Sequence, residues 1–296
     1  MSLLETTPLP RSRSELQLDY SKRLMLVSGR ANPNLAAKIA AKLGVELGGI
    51  TLKTFTNGEV YCRYEESIRG ADIFIVQPMC GNPREPISAR MVARMLESAG
   101  IDRILTMDLH QGQIQGFFQK PCDHMTALFM LTQYFRDLGL DDLDVVAPDA
   151  GRVKLNKQFA SKIGADLAIL NKERPNQQVA EIGYVIGDVR GKTAVLVDDI
   201  IDTAGTLRAA ADAVYDAGAR RVYAAATHGV FSGEPWEQLR KARLEQIVVT
   251  DTIPLPAGAP DNVRVLSCAD LLTSSIRQIF TDGSVSDVFG GENQLF

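Results

Sequence analysis

The run from Thr193 to Thr206, TAVLVDDIIDTAGT, gathers the side chains of this 296-residue chain best suited to chemistry. Two adjacent acids, Asp198 and Asp199, are followed by Asp202, Thr203, Ala204, Gly205 and Thr206. Carboxylates take hydrogen bonds from a diol or bind a metal, while hydroxyls and loop N–H groups receive an anion. The loop is too short, and too poor in glycine and lysine, for a Walker loop around a polyphosphate. Adjacent acids would also repel a bare polyphosphate. One phosphate joined to vicinal hydroxyls satisfies both groups of residues, and that combination describes ribose 5-phosphate.

Such a loop needs a strand to deliver it and a helix to receive it. Thr193 to Val197 is an unbroken apolar run of strand length, which suits a strand covered on both faces of a parallel sheet. LRAAADAVYDAGA then reads as a helix, whose N-terminal N–H groups and dipole favour an anion beside the loop.

Similar units recur along the chain. Arg23–Val27 predicts a strand and Asn32 starts a helix that ends at Gly44. Leu52–Phe55 and Val60–Tyr64 predict a hairpin around Thr56-Asn57-Gly58-Glu59. Ile73–Gln77 reads as a buried strand, Ile87–Ala99 as a helix, and Ile104–Met107 as a strand that delivers Asp108-Leu109-His110. Val145–Ala147 leads into Pro148-Asp149-Ala150-Gly151 and the helix VKLNKQFASKIG. Leu167–Leu170 runs into Asn171-Lys172-Glu173-Arg174-Pro175 and a polar segment without periodicity. Strands alternating with helices predict an α/β fold. IRGADIFIVQ echoes VRGKTAVLVD, and SAGIDRILTMDLH echoes DAGARRVYAAATH, at nearly equal offsets, which suggests a duplicated domain. The expected organisation is a loose tail over 1–20, one half over 21–143, a second over 144–280 and a tail over 281–296.

Composition narrows the function classes. A net charge of −4 gives no footprint for nucleic acid, and no apolar run is long enough to span a membrane. The four cysteines lack CxxC spacing and read as reduced thiols of a cytoplasmic protein. Taken alone, His110 reads as a hydrogen-bonded structural residue, Asp149 as turn chemistry and Lys-Glu-Arg as a solvated loop.

The motifs together resemble one family. VDDIIDTAGT is similar to the phosphoribosyl-diphosphate loop of the type I phosphoribosyltransferase fold, in the spelling of the ribose-phosphate pyrophosphokinases. Asp108-Leu109-His110 resembles that family's DLH motif, and Pro148–Gly151 its PD-x-G. FTNGE (Phe55 to Glu59) resembles its F-[ST]-[DN]-G-E. Lys172-Glu173-Arg174-Pro175 resembles its Lys-x-Arg-Pro, with Glu173 where the family usually has arginine.

The resemblance implies an α/β protein of two similar phosphoribosyltransferase-like domains, with mostly parallel sheets flanked by helices. It implies transfer of the diphosphoryl group of ATP to O1 of ribose 5-phosphate with release of AMP. Asp198 and Asp199 would then hold the ribose hydroxyls, directly or through metal. Thr203, Gly205 and Thr206 would hold the 5-phosphate, with Asp202 and Ala204 in the same loop. Lys172 and Arg174 would be catalytic, on a loop closing over the reacting phosphates. His110 and Asp149 would share the Mg²⁺ that accompanies ATP. Phe55, Asn57 and Glu59 would contact adenine from a neighbouring subunit of a homohexamer built from dimers. The alternatives are a phosphoribosyltransferase or a non-catalytic regulatory subunit. The likeness breaks between about Asn82 and Arg84, where the family's segment bearing a strand and an Arg-Gln-Asp run toward ATP has no counterpart.

Overall fold

The computed structural model describes residues 22–79, 86–176 and 179–289, with side chains omitted at 86, 87, 172–176 and 179–183. The tail over 1–20 and the break at 82–84 lie outside the described residues.

The second half is built on a seven-stranded sheet of order β13-β12-β11-β10-β7-β8-β9. Its strands are β7 (Leu143–Ala147), β8 (Asp166–Asn176), β9 (Val179–Ile186), β10 (Thr193–Ile201), β11 (Arg221–Gly229), β12 (Gln246–Thr250) and β13 (Val263–Leu266). All neighbours are parallel except the antiparallel pair β8–β9. The apolar run of β10 follows from burial on both faces, with side chains alternating between two cores. Ala194 and Leu196 enter one core with α5 (Gly205–Asp216), while Val195 and Val197 enter the other with α4 (Val153–Ile163) and α3 (Leu128–Asp137).

The first half contains β1 (Arg23–Ser28), α1 (Pro33–Leu43), β2 (Ile50–Thr54), β3 (Val60–Tyr64), β4 (Ala71–Val76), α2 (Pro86–Ser98), β5 (Ile104–Met107) and β6 (Cys122–Met125). Asn32 caps α1 by accepting from Leu35 N–H, and Gly44 ends it at φ 75°. Among the described residues these strands form only pairs: β1–β4 and β5–β6 are parallel, and β2–β3 is the expected antiparallel hairpin. Among those residues β4 therefore has an open edge, and Ile75 is 60% exposed, so this strand is not the buried one its apolar sequence suggests.

Helices cross between the halves. α3 precedes β7 in sequence, yet its Leu131 and Phe135 pack against Val145, Val195 and Val248 of the second sheet. In return, α7 (Ala269–Phe280) places Ala269 and Ile276 against Leu26, Leu35 and Ile39 of the first half. The 3₁₀ turn Val285–Phe289 buries Val285 and Phe289 against Met125. The face of α3 thus carries residues whose partners lie far along the chain.

Candidate active site

Asp198 and Asp199 lie near the C-terminal end of β10, next to where the ladder with β7 stops at Leu196 and Val146. Beyond Ile201 the chain turns through Asp202, Thr203 and Ala204 into α5. Ala204 holds a left-handed φ of 63° and is buried, so this turn stores strain at a position that a branched side chain would not tolerate. No side chain caps α5. Asp202 instead accepts from the Ser232 hydroxyl, which leaves the first N–H groups of α5 facing outward beside exposed Thr203, Gly205 and Thr206. Uncapped N–H groups, two hydroxyls and a helix N-terminus make a geometry that suits an anion.

The first half brings His110 to these acids. His110 Nδ1 lies 2.8 Å from Asp199 Oδ2, across the boundary between the halves. The loop carrying it is fixed at each step. Asp108, at φ 38°, accepts from Ala127 N–H at 2.8 Å and from the Thr227 hydroxyl at 2.6 Å. Leu109 N–H donates to His124 Nε2 at 2.9 Å, and His228 Nε2 donates to the Met107 and Asp108 carbonyls, both at 3.1 Å. His124 and His228 therefore hold the loop that presents His110. Burial pushes the His124 imidazole below its ordinary value, in keeping with its role as a neutral acceptor.

Arg152 completes the cluster, and no motif in the sequence points to it. It closes the 3₁₀ turn Ala150–Arg152 that follows Asp149, and its guanidinium lies 2.7 Å from Asp199 Oδ2 and 3.4 Å from Asp198 Oδ1. Burial and the adjacent Asp199 push the Asp198 carboxyl up to about 7, while Asp199 N–H and Arg152 act the other way. The only signal in the sequence for Arg152 is a cation three residues beyond Asp149 in a turn at a strand end.

The remaining candidates are Asp149, which leads into the Arg152 turn, the Lys172 and Arg174 pair, and the Phe55–Glu59 turn. Lys172 and Arg174 fall on the backbone of β8, with Lys172 opposite Ile182 of β9, so the expected loop is a β-hairpin arm. Their side chains are outside the described residues. Phe55, Asn57 and Glu59 are exposed at the β2–β3 turn, where Asn57 Oδ1 accepts from Glu59 N–H at 3.1 Å and Phe55 stacks edge-on to Tyr61. Their hydrogen bonds stay within that turn and do not reach the His110 cluster. A second recess, lined by Leu140, Asp142, Ile163 and Lys192, opens at the opposite ends of β7 and β10, and its Lys192 is paired with Asp144 and Asp166. No three His, Cys, Asp or Glu side chains among the described residues converge to hold an ion by themselves. A hard cation here would need oxygens of a bound substrate to complete its ligands, as Mg²⁺ commonly does.

Comparison with known proteins decides the family. A ribose-phosphate pyrophosphokinase of Bifidobacterium longum is 42% identical, over 90% of this chain and 93% of its own length. That of Caldanaerobacter subterraneus subsp. tengcongensis is 41% identical, over 91% of this chain and 99% of its own. The chain belongs to the ribose-phosphate pyrophosphokinase family.

Other findings agree with this membership. The model of the N-terminal domain of ribose phosphate pyrophosphokinase matches residues 24–84, and that of the phosphoribosyl synthetase-associated domain matches 168–290. The crystal structure of phosphoribosylpyrophosphate synthetase from Mycobacterium smegmatis is 38% identical, superposes with a TM-score of 0.82 and covers 88% of this chain and 100% of that one. The expected α/β architecture, with parallel sheets flanked by helices, is the one found. One alignment with a ribose-phosphate pyrophosphokinase relative runs over 318 positions, more than this chain's 296 residues, so that relative carries residues this chain lacks. The N-terminal match stops at residue 84, where the motifs put the break.

Proposed function

We propose that the chain is a ribose-phosphate diphosphokinase that converts ATP and ribose 5-phosphate into phosphoribosyl diphosphate and AMP for nucleotide biosynthesis. The observation that carries this reading is the loop from Asp198 to Thr206, with its acids meeting His110 and its hydroxyls beside an uncapped helix N-terminus. Asp198 and Asp199 bind the ribose hydroxyls, and Thr203, Gly205 and Thr206 bind the 5-phosphate, with Asp202 tied to Ser232 to shape the turn. O1 of the sugar attacks the β-phosphorus, so no covalent enzyme intermediate is required. Lys172 and Arg174 stabilise the charge that builds on the transferring oxygens. When bound, Mg²⁺ held by His110 and Asp149 together with ATP oxygens would neutralise part of the same charge.

Phe55, half exposed at the hairpin tip, stacks in this reading on the adenine of ATP bound to a neighbouring subunit of a homohexamer, with Asn57 and Glu59 reading the base edge. Sedimentation that finds only monomer at micromolar concentration removes the shared-site part of this reading. No helix among the described residues is long and apolar enough to cross a membrane, and the proposed location is the cytoplasm. The decisive assay is AMP formation with and without ribose 5-phosphate. Sugar-dependent AMP is expected, and AMP formed equally without the sugar refutes the reading.

The missing segment favours a second reading, a regulatory subunit that binds substrates without turnover. Calorimetry separates the two parts of the site. Ribose 5-phosphate binding is expected to be intact, because its loop lies in the continuous seven-stranded half. Losing two charge-assisted contacts weakens ATP by roughly a hundredfold or more. Tight ATP binding by this chain would refute the role assigned to the missing segment.

A further inference from the structure

We propose that Arg152 is a positioning residue of this site: its guanidinium, carried on a turn whose backbone Asn156 ties to β10, fixes His110 against the acid pair. Three observations converge on it. Its Nη2 lies 2.7 Å from Asp199 Oδ2 and 2.9 Å from His110 Nδ1, while its Nε lies 3.4 Å from Asp198 Oδ1. One planar fork therefore touches a residue of the first half and both acids of the second.

Its seat is built rather than incidental. Asn156 is fully buried on α4, and its Nδ2 donates both to Arg152 O at 2.9 Å and to Val197 O at 3.0 Å. That amide joins the turn carrying Arg152 to the strand residue immediately before Asp198. Arg152 N–H also donates to Asp149 O at 3.2 Å, which closes the turn. The guanidinium is mostly buried, with a side-chain exposure of 18%, so its position is set by these partners and not by solvent.

The charges explain the need for it. Two neighbouring carboxylates must accept the hydroxyls of a sugar that itself carries a phosphate dianion. A fixed cation beside them lowers that repulsion and holds the carboxylate lone pairs in one orientation. The choice of ligand rests on the ribose 5-phosphate reading above, whereas the effect on His110 does not.

The test uses the full chain, R152Q and R152K. Imidazole ¹⁵N signals are recorded for the three histidines, ribose 5-phosphate affinity is measured by calorimetry, and thermal unfolding controls for the fold. R152Q is expected to move the His110 signals alone, to weaken ribose 5-phosphate about tenfold or more, and to keep its melting temperature. R152K keeps the charge but loses the fork, so it is expected to retain most of the affinity while still moving His110. Unchanged His110 signals in either variant overturn the proposal. So does R152Q disturbing all three histidines together with a lowered melting temperature. AMP formation by the unaltered chain is scored separately: its absence, with these Arg152 effects present, sinks the activity and leaves the positioning role standing.

Discussion

Replacing Asp198 by asparagine is expected to stabilise the protein at pH 8 while damaging its sugar site. The carboxyl is pushed from 3.8 to about 7, chiefly by burial and then by Asp199. A shift of about three units corresponds to about 4 kcal/mol. A third of the side chain is open to solvent, at 34%, so screening reduces this to about 2 kcal/mol. The sign follows from which state holds the proton. Between pH 4 and 7 the folded protein keeps a proton that the unfolded chain has released, so this contribution is full below pH 4 and is lost as pH rises through 7. From pH 5 to pH 8 the loss is about two units of that window, or about 1 kcal/mol after screening. The asparagine side chain cannot ionise, yet its amide oxygen can still accept from Asp199 N–H as Asp198 Oδ1 does at 2.9 Å. Urea midpoints for the two proteins at pH 5 and pH 8 measure the difference directly. The variant should gain on the wild type by about 1 kcal/mol between the two pH values, and its ribose 5-phosphate affinity should fall. A stability difference that does not change with pH, or that favours the wild type more at pH 8, refutes the reasoning.

Other substitutions test the scaffold. Ala204→Val places a branched residue at φ 63°, and is expected to cost about 1–3 kcal/mol in urea unfolding and to weaken ribose 5-phosphate binding. Ala204→Gly accepts the same backbone and should bind as the wild type does, which separates strain from side-chain loss. Phe135→Ala removes a fully buried ring that packs edge-on to Phe159 at 5.9 Å, and is expected to cost about 3–5 kcal/mol. A loss under about 1 kcal/mol would show that α3 does not anchor the second sheet.

What can be read in the sequence is local in its physics. β10 and its loop are legible because double-sided burial leaves an unbroken apolar run, and because loop acids and hydroxyls have few structural uses together. The α1 boundaries are legible from Asn32 and Gly44, whose capping chemistry is set within one turn. β4 misleads because apolar composition reports what a strand is made to cover, whereas Ile75 has nothing over it among the described residues. The far arm of the β8–β9 hairpin is hidden because the polar run from Asn171 carries no alternation, while pairing is made by backbone groups common to every sequence. Arg152 is hidden because its meaning lies in Asp199 and His110, which are 47 and 42 positions away in the chain. Lys172 and Arg174 are found by resemblance, and the structure adds only their strand location.

The exchange of α3 and α7 makes the two halves a molecular clasp. Each half hands its last helix to the other's core, and Asn32 Nδ2 and Lys38 add bonds to the Asp251 carbonyl and carboxylate at 2.8 and 2.7 Å. The connection through Leu138 to Asp142 is mostly exposed surface chain. Cutting it would therefore leave a nicked protein that stays assembled, while either fragment made alone would expose the bed of a helix that it does not own. The sequence echo between the halves does not make either one self-contained, because each core is completed by a helix of the other.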